Sequence, residues 1–389
     1  MLIDLDVVPA PAPPRQRRER RWWGFAAVAV VVLLVLGGAA APSRPVVFPR
    51  VTGTGDRQVT STLLTTDTLY SVHDDTGEDS TAIVARPLLA GGPAWEARIP
   101  MMSADSVRLT RMGSVLVVQD DTTVKILDGV TGKDRWDAVG ETPLAVGNGT
   151  LLLRSEGAEV HLVDAETGRA RWRQQVDSVD GSLDPAGRYV FLVDYAFSMQ
   201  VRSAVDGRLL ASRDIGQPDA AAPVIIDDRA YLLGASTVTA VNLPGLTPAW
   251  TGKPLVLIPR QVMTCGELLC VRGDSGVSAL DPATGELRWT APDGLGWSGG
   301  VFLRTDGRNA LVDPATGRVV RDLGRGRAAG DLMLRADGDR TQVTDLRTGR
   351  LYGPLPSGVA PFGCVAAGEF LACGEHGGTT VWRIVRTTS

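Results

Sequence analysis

Ala279-Leu280-Asp281-Pro282-Ala283-Thr284-Gly285-Glu286-Leu287-Arg288-Trp289 reads as the end of one strand, a tight turn and the start of the next. The chain repeats it. Asp128-Gly129-Val130-Thr131-Gly132-Lys133-Asp134-Arg135-Trp136 and Asp164-Ala165-Glu166-Thr167-Gly168-Arg169-Ala170-Arg171-Trp172 are full copies. Asp313-Pro314-Ala315-Thr316-Gly317-Arg318 and Asp345-Leu346-Arg347-Thr348-Gly349-Arg350 keep the turn without the Trp. Each residue type has a task. The Asp accepts hydrogen bonds from backbone N–H groups two or three residues on, and Pro282 or Pro314 pre-sets the first central turn residue. The Gly takes a positive φ that closes the hairpin with a bulge, and the Trp four residues later offers a broad face to the next unit.

Spacing sets the fold class. The motif glycines are Gly132, Gly168, Gly207, Gly285, Gly317 and Gly349, and a weaker copy around Leu243-Pro244-Gly245, ending in Trp250, fills the wide gap. The successive steps of 36, 39, 38, 40, 32 and 32 residues are each the length of a four-stranded propeller blade. Between motifs, short apolar runs alternate with polar turns, and no sustained helical period occurs after the first 45 residues. An all-β propeller follows, with docking Trp side chains expected at Trp95, Trp136, Trp172, Trp250 and Trp289. Eight full units and one partial unit predict eight blades, with seven and nine open, and residues 45–54 are a source for a missing closing strand.

The repeat A-x-D-x-x-T-G-x-x-x-W resembles the tryptophan-docking repeat of the PQQ-binding-like, or quinoprotein dehydrogenase-like, β-propellers over roughly residues 55–386. The resemblance implies the fold, and many members keep the repeat as scaffold alone. Enzymes of that family are similar to one another in a disulfide between adjacent cysteines over the quinone and in a Ca²⁺ site of acidic and amide side chains. This chain has no adjacent Cys pair, so no cofactor, metal or catalytic residue is carried over.

The N-terminus predicts an anchor. Residues 1–21 form a Pro-rich and basic tail in which Arg15, Arg17, Arg18, Arg20 and Arg21 precede an uncharged span over 22–41. Twenty residues at about 1.5 Å each cross a bilayer core of about 30 Å, and the arginines keep the tail cytoplasmic. A cleaved signal ending at Ala39-Ala40-Ala41 is the competing reading. Residues 42–54 then read as a Pro-rich linker and 55–389 as an extracytoplasmic propeller. Arg so outnumbers the three lysines, beside the Ala, Val and Gly richness, that the composition suggests an actinobacterium. Residues 1–45 carry six Arg against three acids, leaving 34 basic and 41 acidic side chains beyond them. An acidic propeller gives no electrostatic reason to bind nucleic acid.

Four cysteines form two close pairs. A turn at Gly368-Glu369 sets Cys364 opposite Cys373, and Cys265 with Cys270 can bridge if Gly266–Leu269 form a loop. Local disulfides suit an oxidising compartment, while free pairs and long-range connectivity remain alternatives. His73, His161 and His376 are scattered, and no Ser/His/Asp arrangement accompanies them. Acidic pairs at Asp74-Asp75, Asp120-Asp121, Asp227-Asp228, Asp306-Gly307 and Asp337-Gly338-Asp339 read as hairpin turns between second and third strands rather than Ca²⁺ ligands. The function expected is a non-catalytic binding or scaffold module for a protein or cell-envelope ligand. In spirit it is similar to the propeller lipoprotein of the outer-membrane assembly machinery. A quinone-dependent oxidoreductase and a sensor signalling through a separate cytoplasmic partner are the alternatives.

Overall fold

The computed structural model describes residues 46–386, apart from 55–57, 75–79, 90–91, 101, 216–222, 293, 299–300, 305–306, 357–358, 361–362 and 376–377. The expected tail and span over 1–41 lie outside the described residues. Nine four-stranded antiparallel sheets are present among the described residues. That is the upper end of the expected range, one more than the eight the repeats favoured.

Eight sheets are each built from four consecutive strands, over residues 59–100, 108–139, 142–175, 178–214, 224–252, 261–291, 294–325 and 327–354. They are blades 1 to 8. Blade 9 has three strands of its own, Val365–Ala367, Phe370–Glu375 and Gly378–Arg383. Its fourth, outer strand is Arg50–Gly53 from the other end of the chain. This stretch falls within both the expected linker and the expected source of a closing strand. Thr54 N donates to Thr379 O at 2.9 Å, and Thr379 N donates back to Thr54 Oγ1 at 2.7 Å. The partial unit is therefore complete, which removes the open edge a three-stranded sheet would present.

Sequence pattern explains the layering. Second strands such as Val115–Gln119 and Thr150–Arg154 are almost continuously buried because each blade packs a neighbour on both faces. Fourth strands such as Leu287–Ala291 are largely exposed and polar. Nine apolar clusters fill the spaces between the blades. Val115 and Val117 meet Leu151 and Leu153 between blades 2 and 3. Leu69 and Leu88 meet Phe370, Ala372 and Val381 between blades 1 and 9. Among the described residues, nine sheets with nine shared cores make a closed circuit.

The motif glycines lie beneath the previous blade's indole. A Cβ at Gly132 would strike Trp95, and likewise Gly168 and Trp136, Gly207 and Trp172, Gly285 and Trp250, and Gly317 and Trp289. These glycines are needed for a positive φ, near 70°, and for lacking a side chain under the ring. Blade 5 inverts the arrangement. The residue at the glycine position is Leu246, with φ 54°, rather than the expected Gly245. Ala211 stands where blade 4 would carry its Trp. Leu246 packs into that vacated space against Ala211 and Leu210. A large residue under a small one replaces a small residue under a large one, so volume is conserved. At the next departure Arg321 replaces the Trp, and its guanidinium covers Gly349.

Both disulfides are formed. Cys364 and Cys373 face each other across the Gly368-Glu369 turn, with Cα atoms 4.0 Å apart. Cys265 and Cys270 are bridged with Cα atoms 5.7 Å apart, but the four intervening residues do not make the loop. Only Gly266 and Glu267 turn; Leu268 already pairs with Cys265, so the bridge is diagonal on one sheet face.

Trp289→Ala should destabilise the domain by about 3 kcal/mol, the low end for a large aromatic because this ring is only partly buried. Urea denaturation would show it, and an unchanged midpoint would remove the indole from the packing between blades. Reduction of Cys364–Cys373 should cost about 2–3 kcal/mol, as expected for a short closed loop. Hydrogen exchange should then quicken in Arg50–Gly53 and Gly378–Arg383 before blades 2 to 6. Uniform quickening would show that closure is not local to blade 9.

Candidate functional site

The chemistry-bearing residues of the repeat face inward on their own turns. Asp128 Oδ1 accepts from Val130 N at 3.1 Å, Thr131 N at 2.9 Å and Thr131 Oγ1 at 3.0 Å. Its other oxygen takes Arg135 Nη2 at 2.7 Å. Asp281 repeats this with Ala283 N, Thr284 N and Arg288 Nη2. Asp164 does so with Glu166, Thr167 and, at 3.7 Å, Arg171. The Arg that precedes Trp136, Trp172 and Trp289 therefore ties its strand back to the turn. This role was missed in the sequence, although the dipeptide Arg-Trp recurs at Arg135-Trp136, Arg171-Trp172 and Arg288-Trp289. The indoles bond forward to the next blade. Trp136 Nε1 donates to Ala165 O at 2.9 Å, Trp172 to Ala204 O at 3.3 Å, Trp250 to Pro282 O at 2.8 Å and Trp289 to Pro314 O at 2.8 Å.

The titratable groups serve the same frame. The Arg135 hydrogen bond, with the Thr131 amide, holds Asp128 well below the usual carboxylate range, and Arg288 does the same for Asp281. Burial pushes Asp345 up, but the Thr348 amide and hydroxyl and the Tyr352 hydroxyl at 2.7 Å bring it below its ordinary value. His73 is buried, with Nε2 2.7 Å from Ser71 Oγ. His161 is buried with Nε2 3.1 Å from Glu141 Oε2. His376 lies outside the described residues. Asp227-Asp228 turns between the first and second strands of blade 5, not the second and third, because Val224–Ile226 is a first strand. Among the described residues, no three His, Cys, Asp or Glu are grouped to hold a metal ion.

What reaches outward is apolar. Residues 253–260, Lys-Pro-Leu-Val-Leu-Ile-Pro-Arg, cross from the outer strand of blade 5 to the inner strand of blade 6. Leu255 and Leu257 are each 68% exposed and Ile258 42%, while Val256 between them is buried in the core. The loop is held in place by its backbone. Leu255 N donates to Ser278 Oγ at 3.0 Å, Leu257 N to Ser275 Oγ at 2.7 Å, and Asp274 N to Leu257 O at 2.7 Å. Arg260 makes a two-pronged contact with Asp274 at 3.0 and 3.1 Å. Ile258 has φ 45°, an uncommon conformation for a β-branched residue that the surrounding bonds impose. The disulfide Cys265–Cys270 clamps the far end of the strand this loop enters. Tyr195, 65% exposed in the second turn of blade 4, lies on the same end of the sheets. In sequence the signal was an apolar run bounded by Pro254 and Pro259 where turn residues would be expected.

Blades joined by an indole over the next turn define a β-propeller of PQQ-like repeats. The chain belongs to the family described as outer membrane protein assembly factor BamB, whose model matches residues 120–389. A search of curated proteins gives no match. Among solved structures, BamB from Moraxella catarrhalis is 14% identical with a TM-score of 0.47, covering 87% of this chain and 100% of that one. The computationally designed Ika8 protein is 15% identical with a TM-score of 0.52, covering 72% of this chain and 96% of its own, a likeness of fold.

The lowered carboxylates make the turns acid-sensitive. Groups held below their unfolded values contribute stability that is complete above about pH 5 and is lost as pH falls through about 4 and below. Urea midpoints should be flat from pH 7 to 5 and fall towards pH 3, and Asp128→Asn should flatten that fall. An equal slope in the variant would show that Asp128 is not one of the linked groups.

Proposed function

We propose that this chain is a non-catalytic scaffold holding a protein partner on the outer side of the plasma membrane, tethered by the uncharged span over 22–41. The observation that carries it is the tied loop with Leu255, Leu257 and Ile258 outward. Exposed apolar side chains on a pre-ordered backbone bind without a large ordering cost. The family's description, that of an outer membrane protein assembly factor, supports a part that holds other proteins. The motif's Asp and Arg side chains are engaged in fixing their own turns, and its Trp side chains in joining blades. Two disulfides suit an oxidising compartment and thus support export. The acidic propeller and its packed repeat give no reason for nucleic-acid binding. The composition, which suggests an actinobacterium, favours an envelope or membrane protein other than an outer-membrane one as the partner.

The lysine distribution supplies the test. Lys253 is exposed at the start of the loop, whereas Lys133 is exposed at the opposite end of the sheets. A membrane-impermeant amine crosslinker added to intact spheroplasts should join a partner through Lys253, and Lys253→Arg should abolish that product. Leu255→Asp with Leu257→Asp should lower capture at least tenfold while leaving the melting temperature unchanged. Labelling only after lysis would overturn the topology. Undiminished capture by the double variant would overturn the loop as the docking surface.

A further inference from the structure

The junction of blades 1 and 2 departs from every other dock. At Ala165, Ala204, Pro282 and Pro314 the residue after the turn's first position offers its carbonyl to the preceding indole. The corresponding Gly129 O instead accepts Tyr70 Oη–H at 3.0 Å. Trp95 still covers Gly132 and lies 6.0 Å from the Tyr70 ring, but its Nε1 has no hydrogen-bond partner among the described residues. Gly129 replaces Ala or Pro for a visible reason: a Cβ there would fall on the guanidinium of Arg111.

Arg111 is itself out of pattern. Its place, one pair in from the first turn, holds Val146, Ser182, Ile225, Thr264, Ala328 and Ala366 in other blades. It is half-buried, its Nη1 is sealed without a hydrogen-bond partner, and no described carboxylate forms an ion pair with it. Arg111 has the Tyr70 hydroxyl beside it and Asp67 on the same cleft wall without ion-pair contact, which leaves guanidinium donor capacity for a further anion. The cleft, of about 190 Å³, is lined by Trp95, Arg111 and Gly129, with Asp67 and the exposed side chains of Leu89 and Val130 also on its wall. Asp67 is engaged by Thr65 Oγ1–H at 2.6 Å.

We infer that this cleft receives the carboxylate side chain of an acidic residue on a partner polypeptide, bound by Arg111 and Trp95, with a neighbouring apolar residue against Leu89 and Val130. The inference rests on the reading of the chain as a protein-binding module. The volume decides the scale: at about 190 Å³ the cleft suits a side chain and falls below the several hundred Å³ of a whole-ligand pocket. Charge decides the chemistry. Guanidinium and indole N–H donors call for an acceptor, a planar carboxylate matches the guanidinium fork, and Asp67 nearby penalises a dianion such as phosphate.

N-acetyl-Leu-Glu-Leu-amide is the probe, and its Gln counterpart is the control. In the full chain, the Trp95 indole N–H resonance, assigned with Trp95→Phe, should shift saturably with the Glu peptide and at least tenfold less with the Gln peptide. Arg111→Met keeps the side-chain length without the charge and should abolish the shift. Asp67→Asn, an exposed change that leaves the core intact, should tighten binding severalfold, an effect that a purely structural Arg111 would not produce. Equal shifts from both peptides, no shift from the Glu peptide, or binding unchanged by both substitutions would overturn the inference. The scaffold reading is separable. Spheroplast crosslinking through Lys253 without any response to the peptide would remove the cleft alone. A peptide response without any crosslinked partner would remove the proposed partner and leave the cleft's chemistry standing.

Discussion

Five of the nine junctions in this propeller depend on an indole laid over the turn of the next blade. The ring requires a residue without a side chain beneath it and a strand that presents it, and at four of the five docks a carbonyl takes its N–H. The turn below is in turn fixed by an Asp that collects backbone amides and by an Arg that returns to it. Neither half is stable in isolation, because a four-stranded sheet with two apolar faces has to bury both. Covering those faces with identical units turns a local hairpin motif into a ring.

The departures from that rule show where the ring is under different demands. Between blades 4 and 5 the volumes are exchanged, Ala211 for the Trp and Leu246 for the Gly. Between blades 7 and 8 an Arg321 guanidinium does the covering. Beyond blade 8 there is no indole dock, since Gly353 occupies the Trp position. Closure there relies instead on the outer strand Arg50–Gly53, a disulfide across the first hairpin of blade 9 and the buried side chains of Phe370 and Trp382. The junction that must join two ends of one chain is held by strand exchange and a covalent bond rather than by repetition.

Function follows from what this construction leaves unused. Side chains that look chemically capable in the sequence, the Asp and Arg of the Trp136, Trp172 and Trp289 motifs and the Nε2 atoms of both buried histidines, are engaged within their own blades or turns. The surfaces with an outward aim are the apolar loop over 253–260 and the cleft around Arg111, at opposite ends of the sheets. One is a protrusion made rigid by serine hydroxyls, the other a recess made polar by a guanidinium. In the function proposed above both serve recognition, one at each end of the sheets.

Short-range spacing made a large part of this molecule readable. The turn chemistry lies within five residues, the strand period within ten, and the Cys364–Cys373 pairing within one hairpin, so each could be read without knowing what packs against it. The blade number could not be read that way. The ninth sheet is completed by residues some 325 positions away, at Thr54 and Thr379, and a strand's partner is not encoded in its own alternation. The same limit hid Leu246, whose place is decided by the missing indole at Ala211, and the diagonal Cys265–Cys270 bridge, whose register is set by the whole sheet. Arg111 looks like any other strand arginine until Gly129 and Trp95 are brought beside it. Hairpins are specified by their own residues, whereas contacts between blades depend on complementary volumes and charges contributed by different turns of the ring, and those meet only when the ring is closed.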